Sequence, residues 1–226
     1  MAREKRQKRD DRFGIYSPKR FIIASEGEET EIKYFTALKE KMPKRFFNNV
    51  NLIVCTRDIE NKNNSSPEHV LACAEEYINK ILPRVNVDTD EVYIVVDKDR
   101  WPNEMLASVR RLCNQKKFNL LVSNPCFEVW LLLHYIDLAT CSEDEVNDYL
   151  GINRHPRKNK VHPIKKALSR IVDGYTCSSF DIEKFYNLTN LAISNAEKIE
   201  IPHDWPNSIG TRVHVLVKKI PPFSEN

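Results

Sequence analysis

Short apolar runs alternate with stretches of helical spacing through the first part of the chain. Arg20-Phe21-Ile22-Ile23-Ala24-Ser25 has the length and character of a buried strand and stops abruptly at Glu26-Gly27. From Thr30 to Leu38, Tyr34 and Leu38 recur at helical spacing, and Pro43 ends the pattern. Val50-Asn51-Leu52-Ile53-Val54-Cys55 predicts a second strand, residues 61–67 an Asn/Ser-rich loop, and residues 67–82 a helix. Glu91-Val92-Tyr93-Ile94-Val95-Val96 is β-branched and apolar on both faces, as a central parallel strand is, and runs into Asp97-Lys98-Asp99. A helix over 102–116 and a strand over 118–122 complete a repeated β-α order. That order predicts an α/β fold with a central, mostly parallel sheet flanked by helices.

The pattern changes at Ser123. The segment Ser123 to Tyr135 opens with Asn124-Pro125, a cap and first-turn pair, and continues as a helix apolar nearly all round, which must be buried. From Ser142 onward only helical patterns remain, over 143–150, 163–172, 182–198 and 211–220. No internal repeat or low-complexity linker separates the halves. The chain therefore divides into a leader over 1–19, an α/β core over 20–140, and a helical C-terminal elaboration over 141–226 packed on that core.

Composition narrows the class. The chain has 226 residues, 41% of them hydrophobic and 30% charged, which suits a globule and excludes disordered, collagenous and disulfide-stapled proteins. A net charge of +3 does not by itself argue for a polyanionic partner, but the charge is uneven. Residues 1–20 carry eight Lys or Arg against three acids, and Arg157, Lys158, Lys160 and Lys165 form a second basic stretch flanked by His155 and His162. Either stretch suits a phosphate backbone, or equally a solvated tail and a polar loop. The six cysteines are scattered, with no C-x-x-C pair and no zinc-finger spacing, so a reducing cytoplasmic setting is expected. The basic N-terminus lacks a following apolar stretch and no apolar window reaches about 18 residues, so neither a signal peptide nor a membrane span is predicted.

The candidate chemistry lies at strand ends. In open parallel sheets ligands bind beyond the carboxyl ends of the strands, and here acids stand there: Glu26 after the first strand, Asp97 and Asp99 after the central one. Residues two apart in extended backbone point the same way, so the D-x-D can present both carboxylates to one point. Mg²⁺ takes one or two carboxylates while keeping waters and phosphate oxygens, and three converging acids meet that demand. The alternative is that Asp97 and Asp99 cap the next turn or helix. Gly27 permits a sharp turn and close approach by a phosphate. Neither G-x-x-x-x-G-K-[ST] nor G-x-G-x-x-G is present, which excludes a P-loop. Thr30 and Glu31 suit the first turn of the following helix. Glu128 is the carboxylate of the apolar helix, so it either pairs with a basic side chain or joins the metal site. His134 reads as a core histidine.

Four blocks carry a resemblance to a known family. Ile22-Ile23-Ala24-Ser25-Glu26-Gly27-Glu28-Glu29-Thr30-Glu31 with Tyr34-Phe35, after a basic leader, is similar to the opening motif of the RloB-like family. The strand end Val95-Val96-Asp97-Lys98-Asp99, the segment Ser123 to Tyr135, and the closing block Asn207 to Val217 also resemble that family, in the same order. Ser25, where such motifs often carry Cys, and Ile209-Gly210 in the closing block depart from its pattern. The resemblance implies a Toprim-like catalytic core over 20–140 and a Mg²⁺-dependent nuclease, with Mn²⁺ as a substitute. It further implies an effector of a bacterial anti-phage abortive-infection system beside an ABC/SMC-like AAA ATPase. By it, Glu26 is the general acid/base and Asp97 and Asp99 the metal ligands; Glu128, from its place in the apolar helix, is a further catalytic candidate. Gly27, Lys98, Asn124, Arg157, Lys158 and Lys160 are the expected contacts to a DNA, RNA or tRNA substrate. A homo-oligomer is compatible with this reading. A non-catalytic Toprim-like module that binds and regulates the ATPase is the alternative, because fold does not establish activity.

Overall fold

A computed structural model describes residues 18–56, 66–81, 85, 89–99, 101–152, 161–177, 179 and 181–224. Four strands form a parallel sheet: β1 (Lys19–Ser25), β2 (Val50–Val54), β3 (Glu91–Asp97) and β4 (Asn119–Asn124), with β5 (Gly210–Thr211) antiparallel on β4. Their order across the sheet is β2-β1-β3-β4-β5. Helices α1 (Thr30–Lys41), α2 (Pro67–Ile81) and α3 (Asn103–Lys116) stand between the parallel strands. This is the expected α/β architecture, consistent with a Toprim-like fold.

Strand alternation assigns each face. Ile22, Ala24, Ile94, Val96, Leu120 and Val122 point to one side and pack with Val70, Leu71, Ala74, Leu106 and Val109 of α2 and α3. Phe21, Ile23, Tyr93, Val95 and Leu121 point to the other, into a larger cluster built on α1 and the second half of the chain. That half supplies α4 (Glu128–Leu132), α5 (Glu143–Leu150), α6 (Pro163–Ile171), α7 (Glu183–Tyr186), α8 (Thr189–Glu197) and α9 (Val213–Val217). Trp130, Leu131, Leu132 and Leu133 are fully buried, as the all-round apolar pattern requires. His134 is buried too, its ring packed edge-on against Trp130 and Phe185 and its Nδ1 paired with the Trp130 carbonyl at 3.0 Å. Burial pulls its pKa down to about 4, so it is a neutral core histidine.

Three expectations for the second half change. Asn124 does not cap a helix: it ends β4, paired with Gly210, and α4 begins only at Glu128. The helix predicted over 182–198 is two helices interrupted at Asn187 and Leu188. The helix predicted over 211–220 starts at Val213, because Gly210 and Thr211 extend along the β4 edge. Ser123 and Thr211 hydroxyls join across that pair at 2.7 Å. Among the described residues no helix is long and apolar enough to cross a membrane.

Candidate metal centre

Parallel pairing brings the strand ends together. Ser25 lies beside Val95 in register, and the Glu26 backbone N–H continues the ladder to the Val95 carbonyl at 2.8 Å. Glu26 therefore stands next to the end of β3, which Asp97 closes and Asp99 follows by two residues. The turn after β3 is pinned from the neighbouring strand: Lys98 N donates to the Ser123 carbonyl at 2.8 Å and Asp99 N to the Pro125 carbonyl at 3.0 Å. A cleft of about 520 Å³ opens over these ends. Glu26, Gly27, Glu28, Glu29, Thr30, Glu31, Asp97, Asp99, Cys126, Glu128, Val161, His162, Lys165 and Cys177 line it.

Glu26, Asp97 and Glu128 are each held by their own donors, while Asp99 stands exposed in the turn after β3. The Glu26 carboxylate is buried; Asp97 N–H donates to its Oε2 at 3.0 Å, and the Trp101 indole N–H donates to Oε1 at 3.1 Å and Oε2 at 3.0 Å. Asp97 Oδ1 accepts from Phe127 N at 2.8 Å, which ties the strand end to the start of α4. Glu128 is 2% exposed and pairs with Lys165 Nζ of α6 at 3.1 Å. It also accepts from Thr30 Oγ1 at 3.5 Å and from Cys177 Sγ at 3.7 Å. Both readings of Glu128 thus meet in one place: it has a basic partner, and it faces the same cleft as Glu26 and Asp97.

The electrostatics follow from crowding. Burial, then the neighbouring carboxylates of Glu31, Glu128, Glu26 and Asp99, push Asp97 well above the usual carboxylate range. Burial and the Glu128 charge raise Glu31 to about 7. Burial pulls the Lys165 ammonium down, but the charge and hydrogen bond of Glu128 act against it and the net shift is upward, so Lys165 stays charged. Burial likewise keeps Cys126 and Cys177 as thiols.

Glu31 is the acid that sequence reading underrated. It occupies the first turn of α1, as its position suggests, but its side chain folds back so that Oε1 accepts the Gly27 N–H at 3.1 Å and the carboxylate lines the cleft. This gives Gly27 its use: a Cβ there would collide with the Glu31 carboxylate. Lys165, His162 and Cys177 come from the helical half. His162 caps α6, its Nδ1 accepting from Ile164 N at 3.4 Å. Nothing local in the sequence links these residues to Glu26; the buried acid Glu128 signalled a basic partner, but not which one.

Two expected substrate contacts face elsewhere. Asn124 Nδ2 donates to the carbonyls of Pro206, Asn207 and Ser208 at 3.3, 3.1 and 2.8 Å. Lys98 Nζ reaches the Pro206 carbonyl at 3.3 Å. Both residues anchor the segment leading to β5 and are not among those lining the cleft. Arg157, Lys158 and Lys160 lie outside the described residues.

Among the described residues, no group of three or more His, Cys, Asp or Glu side chains stands close enough as placed to hold a metal ion. The donor chemistry nevertheless fits a hard divalent cation: every acid on the cleft offers oxygen, and the mutual repulsion at Asp97 is what a cation relieves. Asp97 and Asp99 would hold it, Glu26 directly or through a water, with Glu31 and Glu128 beside them.

No curated protein and no solved structure matches the chain. The family model of the RloB-like proteins does match it, over residues 21–220, which takes in the strand-end acids, α4 with Glu128, α6 with Lys165 and the β5 block. The chain belongs to the RloB-like protein family.

Proposed function

We propose that this protein is a Mg²⁺-dependent nuclease of Toprim type that cleaves nucleic-acid phosphodiesters. The observation that carries the reading is Asp97: a carboxylate at the carboxyl end of the central strand, facing Glu26, Glu31, Asp99 and Glu128 across one cleft. A structural role needs no such concentration of like charge, whereas binding a cation gives it one.

In this mechanism Asp97 and Asp99 would hold the cation with Glu26 beside it, and the bound cation would supply neutralisation of the charge that develops on the attacked phosphate. Glu26, fixed by Asp97 N–H and Trp101, takes the proton from the attacking water. Glu31, its side chain folded back onto Gly27 N–H, lines the same cleft beside them. Lys165, lining the cleft and paired with Glu128, supplies positive charge for an incoming phosphate. By family resemblance the setting is anti-phage abortive infection with an ABC/SMC-like AAA ATPase as partner and DNA, RNA or tRNA as substrate.

Purified protein with Glu26→Ala or Asp97→Ala is expected to lose Mg²⁺-dependent cleavage and cellular toxicity together. Unchanged cleavage and toxicity in both variants would remove the assignment.

A further inference from the structure

We infer that Trp101 is a positioning residue of this centre: its indole N–H fixes the Glu26 carboxylate in the orientation in which it serves the cation and the proton. The inference rests on the metal-dependent reading above and adds to it a residue that no motif contains.

Three observations carry it. The indole Nε1–H reaches both oxygens of Glu26, at 3.1 and 3.0 Å, so it constrains the plane of the carboxylate as well as its place. The indole is itself held. Trp101 N donates to the Lys98 carbonyl at 3.1 Å, closing the turn that carries Asp97 and Asp99, and its ring packs on the hydrophobic cluster under α2 and α3. Finally, an indole has a single N–H donor and no acceptor or exchangeable acid near neutral pH. It can neither ligate a cation nor carry the proton, so what it contributes to Glu26 is orientation.

The turn thus couples two strands. Asp97 donates its backbone N–H to Glu26, and Trp101, one turn later, donates its indole N–H to the same carboxylate. Donors that orient metal-binding carboxylates are worth about 10–100-fold in cation affinity or activity. Trp101 is expected to fall in that range.

The test uses indole N–H resonances of the full chain and Mn²⁺ binding by calorimetry. Without any cation, Glu26→Gln should move the Trp101 resonance and leave those of Trp130 and Trp205 in place. Mg²⁺ added to the parent chain should move the same resonance. Trp101→Phe should bind Mn²⁺ about 10–100-fold more weakly than the parent, and Trp101→His, which restores a ring N–H, should recover part of the loss. Should the Phe variant fold poorly, the His variant and the Glu26→Gln shift carry the comparison. A Trp101 resonance indifferent to Glu26→Gln, or a folded Trp101→Phe chain that binds Mn²⁺ as the parent does, would overturn the positioning role alone. A parent chain that binds neither Mg²⁺ nor Mn²⁺ while the Glu26→Gln shift persists would instead overturn the metal-dependent reading, and the role with it.

Discussion

Individual residues explain why the cleft tolerates so many acids. Gly27 and Glu31 are a matched pair, because the carboxylate of one occupies the space a side chain on the other would need. Gly27→Ala is expected to push the Glu31 carboxylate, the far end of a flexible side chain, off the Gly27 N–H and to cost about 1 kcal/mol, read as a lower midpoint in urea denaturation. Most of that cost should vanish in the Gly27→Ala, Glu31→Ala double variant, where the collision is gone. Glu31 also makes stability depend on pH. Its pKa rises from 4.5 to about 7 on folding, so between these values the native state holds more protons than the unfolded chain. Stability therefore falls as pH rises through that window, by on the order of 3 kcal/mol at most for this one group. Without divalent cation, urea denaturation from pH 5 to 8 should show the parent losing stability relative to Glu31→Gln. Parallel pH profiles for the two chains would contradict this.

At the scale of elements, the sheet was legible and its closing edge was not. The runs ending at Ser25 and Val96 are continuous, apolar and stopped by acids, so strand ends and candidate ligands could be read together. β5 is two residues long, too short for any periodicity, and only its pairing with Ser123 and Asn124 defines it. Asn124 misled for the same reason: beside a proline it resembles a helix cap, yet its amide is spent on three carbonyls of 206–208. α6 was predicted as a helix, but its Lys165 becomes part of the centre only because α6 packs on α4 beside Glu128. Lys165→Met should leave Glu128 buried beside unopposed carboxylates. We expect a loss of roughly 1–3 kcal/mol, below that of a fully buried pair because Lys165 is a third exposed. Mg²⁺ should restore part of it, seen as a larger cation-induced rise in Tm for the variant than for the parent.

Over the whole molecule, the two halves build one centre. The parallel sheet supplies Glu26, Asp97 and Asp99, and the helical half closes the cleft with His162, Lys165 and Cys177. One hydrophobic cluster runs through both, from Phe21 and Tyr34 to Leu216 and Phe223. The acids of the cleft repel a polyanion unless a cation intervenes, so phosphodiester chemistry here should require the metal absolutely. The most direct measurement incubates the purified chain and its Asp97→Ala variant with labelled DNA, total RNA and tRNA, with Mg²⁺ or with chelator. The predicted result is cleavage of at least one substrate by the parent with Mg²⁺, none with chelator, and a fall of about 100-fold or more in the variant. Equal cleavage by parent and variant, or no Mg²⁺-dependent product from any substrate, would contradict it.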